Sequence, residues 1–361
     1  MKLACFPYLV QKEILDHLSI NNIFFLSLCS KRTKNFITQL QKYQFQKVDH
    51  VTYWTNPEGV LISVRMMSRG YDDIFMCCYK SLDEFAKILS DPEDTAEELG
   101  VNVSGTPIVF FRSNRSDLHA KYCCNNLESA TETIHNYLCD ILGHHTKSWL
   151  KSTVLNGTHV LPNLQNIEAL EIQGGMIDSR RIEELLCTSC GMLSMSELNV
   201  LKRHKLRENS KFYDRDTVYV DGEPFTYRAI ADFLKHFNGR HAFLSKTFFF
   251  TEYIVHFLNS WKSGKKFRKL EVISMDCFIV VSSVRRSVEF KEVNAEVEYS
   301  FIRRFQKGYP AWFSIQPCEF KSRLYMVRES DGLVASVMLS HWLIFMGVWD
   351  LTETQFLERF K

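Results

Sequence analysis

Apolar residues recur at helical spacing from the start of the chain. Val10, Ile14, Leu15 and Leu18 fall three or four residues apart, with Gln11, Lys12, Glu13, Asp16 and His17 opposite them, which predicts an amphipathic helix. Pro7 sits just ahead of it, where a fixed φ and a missing N–H do no harm. Ser19-Ile20-Asn21-Asn22 then supplies capping and turn chemistry. A second periodic segment follows, Ile23, Leu26, Leu28 and Phe36-Ile37, with the polar cluster Ser30-Lys31-Arg32-Thr33-Lys34 inside it, so the start reads as a helical hairpin. So short a segment cannot build much core alone, and some of Leu9, Val10, Leu15, Leu18, Phe24 and Leu26 should therefore face something else.

From Val48 to Tyr79 the period changes to two. The runs VDHVTYW, VLISVRM and DIFMCCY alternate with turn residues at Asn56-Pro57-Glu58-Gly59 and Arg69-Gly70, which predicts a small antiparallel set of strands. SLDEFAKIL reads as a helix with Ser81 as cap and Glu84 placed for a capping box, and DPEDTAEELG as an acidic solvated turn.

From Leu161 the pattern changes again. Leu161, Leu164, Ile167, Leu170 and Ile172 have the spacing that leads into the short strand of a leucine-rich repeat, and SRRIEELL after Asp178 reads as a helix. Strands TVYV, HAFL and RKLEVIS then alternate with amphipathic helices FTYRAIADFLKHF and TFFFTEYIVHFLNSW. Val218, Leu244 and Leu270 are each 26 residues apart, inside the range of such repeats, so a short curved parallel sheet is expected. The stretch from 170 to 218 requires an irregular unit around Leu193 to Val200.

Composition narrows the class. The 361 residues are 45% hydrophobic and 13% aromatic, enough apolar surface to offset chain ordering, and the length suggests two or three structural units. The 44 Lys+Arg against 42 Asp+Glu leave a net charge of +2, so no global field favours nucleic acid or an anionic membrane. The start is interrupted by Pro7, Gln11, Lys12 and Glu13 before any signal-like apolar run forms, and the most apolar windows later on are too short to span a bilayer. Eleven Cys without an export signal are expected to remain thiols, which places the chain in the cytoplasm, the nucleus or both. The glycosylation matches at Asn102, Asn114 and Asn156 then carry no meaning.

Motifs for chemistry are weak. Cys187 and Cys190 have zinc or redox spacing, but no second pair completes four ligands, and a buried pair of thiols is expected. Gly264-Lys265 lacks the first glycine and the following Ser or Thr of a phosphate loop, and no nucleophile elbow, dinucleotide fingerprint or HExxH helix occurs. No cofactor or metal is expected. The basic groups Lys202-Arg203-His204-Lys205 and Lys262 to Lys269 raise a nucleic-acid alternative, a repeat protein binding through the turn at 262–269. Cations also favour helix C-termini, which makes a solvated turn the expected reading.

The order Pro7, Leu9, Val10, Ile14-Leu15, Leu18, Asn22-Ile23, Leu26-Ser27-Leu28, Ser30-Lys31-Arg32-Thr33-Lys34 resembles an F-box, closest to the nematode-type family, with Phe6-Pro7 where many members have Leu-Pro. The stretch Leu198 to Cys277 and the hairpin-like C-terminal run with Asp331-Gly332 as its turn are similar to that family's type 2 F-box-associated domain. The resemblance implies an F-box over 3–43, a β-rich connecting region with helices over 46–160, and an F-box-associated domain over 161–361. The implied fold is α/β: all-α F-box helices, then an α/β domain with leucine-rich-repeat-like strand-helix units. It further implies a non-catalytic substrate receptor of an SCF-type ubiquitin ligase. Pro7, Leu9, Val10, Ile14, Leu15, Leu18, Leu26 and Leu28 would form the surface that packs and docks on a Skp-type adaptor, which links to cullin and RING subunits. The C-terminal part would hold a protein substrate.

Overall fold

The computed structural model describes residues 5–56, 59–67, 72–79, 97–112, 118–122, 127–153, 162–174, 176–177, 190–196, 199–200, 210–221, 227–246, 250–301 and 319–360. The chain divides into two compact units, residues 1–168 and 169–361.

The first unit begins with helices α1 (Tyr8–Asp16), α2 (Ile20–Leu28), α3 (Lys31–Leu40) and α4 (Lys42–Phe45). Ser19 caps α2, its hydroxyl accepting from Asn22 N–H at 3.3 Å. The expected single second helix is two helices. Ser30 is extended (φ −168°, ψ 157°) and its hydroxyl accepts from Thr33 N–H at 3.0 Å, so the polar cluster that read as helix interior starts a new helix.

Strands β1 (Val48–Thr55), β2 (Gly59–Met66), β3 (Asp72–Tyr79), β4 (Glu97–Val103), β5 (Thr106–Arg112) and β6 (Leu118–Tyr122) follow, then helix α5 (Leu127–Leu142) and β7 (Lys147–Thr153). The sheet order is β7-β1-β2-β3-β6-β5-β4. β1, β2 and β3 pair antiparallel, as the alternation predicted, and Asn56 Oδ1 closes their first turn on Gly59 N–H at 2.7 Å. β7 joins β1 in parallel, and β6 joins β3 in parallel. Glu97 to Gly100 belong to β4 rather than to an acidic turn. They pair with β5 across a tight turn in which Ser104 and Gly105 both have positive φ, the geometry a two-residue hairpin demands. The expected helices at 81–89 and after Asp178 lie outside the described residues.

Helix α5 organises this unit. Ala130, Thr131, Ile134, His135, Tyr137, Leu138, Cys139, Ile141 and Leu142 are all buried, a stripe wider than one helix face. It packs against β2, β4 and β5 and also against α3 and α4, so it is covered by the sheet and by the opening helices.

The second unit comprises β8 (Ile167–Gln173), β9 (Met176–Ile177), β10 (Met192–Ser196), β11 (Asn199–Val200), β12 (Thr217–Asp221), α6 (Tyr227–His236), β13 (His241–Ser245), α7 (Thr251–Lys262), β14 (Val272–Asp276), α8 (Val281–Ser287), β15 (Lys291–Ser300), β16 (Glu319–Val327), β17 (Leu333–Leu339), β18 (Leu343–Thr352) and α9 (Glu353–Arg359). β8, β10, β12, β13 and β14 are parallel neighbours in that order; β18, β17, β16 and β15 extend the sheet antiparallel from β14. It is a mixed α/β sheet. Leu170, Leu193, Val218, Ala242, Ile273 and Met346 form one register row, each at most 1% exposed, across six strands.

That row corrects two sequence expectations. The segment around Leu193 is a regular parallel strand, and the steps along the row are 23, 25, 24 and 31 residues up to Ile273, not a constant 26. Strand and helix alternate without an even repeat, because α7 is longer than α6 and the connection from Ser263 to Glu271 is longer than that after α6. The expected closing hairpin is present as β16 and β17, with Gly332 at φ +75°. It sits inside a four-stranded antiparallel meander whose core is Tyr299, Phe320, Phe345, Trp349 and Phe356.

Candidate partner-docking face of the N-terminal helices

The inner face of the opening helices is committed to the first unit. Phe24 and Ser27 on α2 face Tyr137 on α5: the two rings meet edge-on at 5.7 Å, and the Ser27 and Tyr137 hydroxyls are 3.1 Å apart. Lys34 on α3 donates to Asp140 at 2.8 Å and lies 4.3 Å from the Tyr137 ring centroid. Gln41 donates to Asp16 at 2.9 Å, tying the end of α1 to the end of α3. Burial pulls the Asp16 carboxyl up, and hydrogen bonds from Gln41 and Lys12 outweigh it, leaving it below the usual carboxylate range.

The outer face is apolar and uncovered. Phe6, Pro7, Tyr8, Leu9 and Val10 are all exposed, Leu9 by 75% and Tyr8 by 60%. Pro7 ends the extended entry (φ −55°, ψ 148°), and its carbonyl accepts from Val10 and Gln11 N–H, so this greasy turn is fixed to a helix rather than loose. An apolar run held on a rigid element is a candidate docking surface.

The eight residues expected to pack and dock divide into three groups. Pro7, Leu9 and Val10 are exposed; Ile14, Leu18, Leu26 and Leu28 are half-buried; Leu15 is fully buried at 0% and can only pack. Leu15 lies on the inner side because α1 packs on α3, a distinction that helical spacing alone does not make. Tyr8 joins the exposed run although on a helical wheel it falls with Lys12 on the polar side.

A Thr–His–Glu line does assemble: Thr217 Oγ1 is 2.9 Å from His241 Nδ1, and His241 Nε2 is 3.4 Å from Glu271. Thr217 and His241 are buried at the strand starts, with the Phe301 ring edge-on to His241, so this line ties β12, β13 and the approach to β14 together. A second buried set, Tyr53, His135 and Cys139, runs hydroxyl to imidazole at 2.9 Å and imidazole to thiol at 3.6 Å. Cys190 is buried and its thiol is pushed up to about 11 by that burial, against the attraction of Arg215; Cys187 lies outside the described residues. Among the described residues no group of three or more His, Cys, Asp and Glu could hold a metal ion, and no helix is long and apolar enough to cross a membrane.

Three of the five cations in the basic turn at 262–269 have partners within the fold. Lys262 pairs with Glu289, Lys266 donates to the Lys235 carbonyl at the end of α6 at 3.0 Å, and Arg268 donates to the Gly264 carbonyl at 3.1 Å. The group at 202–205 lies outside the described residues.

Residues 3–45 match the family model described as F-box domain. No curated protein and no solved structure matches the chain. The matched segment takes in α1, α2, α3 and α4, and so contains both the outward run and the anchored inner face.

Proposed function

We propose that the chain is a substrate-recognition subunit of an SCF-type cullin-RING ubiquitin ligase. F-box domains bind Skp-type adaptors, and the observation that carries the reading is the exposed Phe6–Val10 run on the F-box segment, fixed to a helix layer that is itself anchored on α5. Pro7, Tyr8, Leu9 and Val10 are the central contacts; Ile14, Leu18, Leu26 and Leu28 flank them, and Leu15 holds α1 in place. Docking of this kind is driven by apolar burial, which needs no catalytic group and no cofactor. The chain acts by proximity: it raises the effective concentration of substrate lysines near a RING-bound conjugating enzyme and forms no covalent bond itself.

The finer placement, a nematode-type F-box protein with a type 2 F-box-associated domain over 161–361, is supported by the β12-α6-β13-α7-β14 alternation and by the β16–β17 hairpin at Asp331-Gly332. In this reading that part holds the substrate, and the protein works in the cytoplasm, the nucleus or both.

The test is co-purification of the full chain with a recombinant Skp-type adaptor. Leu9→Asp with Val10→Asp puts two carboxylates on exposed positions, so the urea midpoint should stay unchanged while adaptor capture is lost. Retained capture by that folded variant overturns the proposal.

A further inference from the structure

The parallel strands of the second unit end on a polar row. Gln173, Ser196, Asp221 and Ser245 are in register, and Asp276 follows beside Ser245 at the end of β14. Ser245 Oγ donates to Asp276 at 2.8 Å, and Lys246 lies 3.0 Å from Asp221. Two residues back along β12, on the same sheet face as Asp221, stands Tyr219, in one register row with Ser194 and Glu171. Burial raises the Tyr219 phenol pKa, and Asp221, Asp276 and Glu171 raise it further, while among the described residues Lys246 pairs with Asp221. Crevices outside the carboxyl ends of parallel strands are where open α/β sheets take ligands.

Beside this acidic row the same unit exposes a cluster of large apolar side chains. The segment after β14 alternates: Cys277 and Ile279 point inward, buried, while Phe278 and Val280 point outward. Phe278 is 56% exposed and its ring lies 5.2 Å from that of Trp342, itself 69% exposed in the turn between β17 and β18. The turn is fixed rather than loose, since Cys277 N–H donates to the Trp342 carbonyl at 2.9 Å and Ile279 N–H to the His341 carbonyl at 3.1 Å. Val280 N–H donates to Thr251 Oγ1 at 3.3 Å, which brings exposed Phe250, one residue earlier, to the same corner. The two backbone ties continue the β14–β18 ladder and so hold exposed aromatic rings on a rigid support, and aromatic residues on such supports are the usual anchors of protein interfaces.

We propose that this corner, Phe250, Phe278, Val280 and Trp342 with the Asp221 and Asp276 row beside it, docks the protein to be ubiquitinated, and that the docked segment interleaves large apolar side chains with Lys or Arg. The inference rests on the receptor reading and adds to it the place and the chemistry of the substrate. The apolar residues fill the aromatic corner. The cations meet the carboxylates, where the exposed Lys246 pair contributes little and is readily exchanged.

The test uses the full chain and three fluorescein-labelled dodecapeptides. The first alternates Lys or Arg with Trp or Phe; the second has Glu for every cation; the third has Gly for every aromatic. Binding of the first should be about tenfold tighter than either other peptide. Phe278→Ala with Trp342→Ala should weaken it by about thirtyfold, and Asp221→Asn by a few-fold with a shallower salt dependence. All three positions are at least partly exposed, so unfolding midpoints should not move. Equal affinity for the Glu peptide, or undiminished binding by the folded double variant, overturns the proposal. So does concentration-dependent dimerisation that Trp342→Ala abolishes, which would make a second copy the occupant. So does a single-stranded RNA dodecamer that competes for the same corner. Peptide binding lost with adaptor capture intact would defeat only this inference; adaptor capture absent in the unaltered chain with peptide binding intact would defeat only the receptor reading.

Discussion

The hydroxyl of Tyr137 stands 3.1 Å from that of Ser27, 110 residues earlier in the chain. Ser27 lies on α2 inside the F-box segment and Tyr137 on α5, so that segment is joined side chain to side chain to the helix that follows the β-rich region. The ring of Phe24, 2% exposed, makes the apolar part of the same joint. The inner face of the F-box segment is therefore a stability surface, and substitutions there can be separated from substitutions on the exposed outer face proposed to dock the adaptor.

Inner-face variants should lower stability first. Tyr137→Phe removes one hydroxyl pair and should cost about 1 kcal/mol, whereas Phe24→Ala opens a cavity beside α5 and should cost roughly 3 to 5 kcal/mol. Urea unfolding measures both. Adaptor affinity of the Tyr137→Phe chain should stay within about twofold of the parent, because no outward residue is touched.

Much of this was legible in the sequence. Helical period and the Ser19 cap located α1 and α2, and alternation located β1, β2 and β3. Ser30 misled because a capping serine inside an apolar period looks like a solvated face until its extended φ is known. Leu15 and Leu9 are both apolar residues of one short helix, and only packing against α3 shows that one is inside and the other out. Helix α5 carries a helical stripe at Ala130, Ile134, Leu138 and Leu142, but that it is covered on several sides shows only in the packing. The short strand Met192–Ser196 is buried along nearly its whole length, which leaves no alternation to find. The aromatic corner was invisible for a different reason: Phe250, Phe278 and Trp342 are far apart in sequence and join only through β14 and the turn after β17.

Acid should weaken the fold before carboxylates titrate. His135 is 1% exposed, and burial lowers its pKa to about 4, with the Gln165 backbone hydrogen bond opposing and His144 adding slightly. In the unfolded chain the same imidazole titrates near its ordinary value of about 6.5. Between those values the unfolded chain holds the extra proton, so stability falls as pH drops through that window, by about 2 kcal/mol from pH 7 to pH 5. His135→Gln can still hydrogen-bond the Tyr53 hydroxyl but does not titrate. Its urea midpoint should be flatter across that range than the parent's, and equal slopes would reject the assignment.

Gly347 should tolerate no side chain. It lies in β18 between Val272 of β14 and Ser336 of β17, and a Cβ there would come within 2.5 to 2.6 Å of the Tyr299 ring. That ring is fully buried, and its hydroxyl donates to the Glu271 and Val348 carbonyls at 3.3 and 3.4 Å, so it cannot swing aside cheaply. Gly347→Ala should destabilise by roughly 2 to 3 kcal/mol, read as a lowered thermal midpoint. Tyr299→Ala in the same chain should remove the clash, so the double variant should lose less than the sum of the singles.

Arg328 should couple tightly to Asp331. Its side chain is 3% exposed, forks onto the Asp331 carboxylate at 2.9 and 2.7 Å, donates to the Arg268 carbonyl at 3.2 Å, and lies 5.3 Å from the Trp261 ring. The guanidinium hydrogen bond holds the Asp331 carboxyl below its ordinary range, with burial opposing. A depressed carboxyl stabilises the fold above its unfolded pKa, and that contribution disappears as pH falls through the lower folded value. Asp331→Asn should therefore cost about 1 to 2 kcal/mol at pH 7, the modest figure following from the 43% exposure of the carboxylate, and the gap to the parent should close as pH falls through the lowered folded value. Arg328→Met with Asp331→Asn removes the stranded buried charge and should be no less stable than Asp331→Asn alone. If urea unfolding instead gives simple addition of the two single losses, the pair is not coupled, and the β16–β17 turn is held by its backbone and the Gly332 conformation.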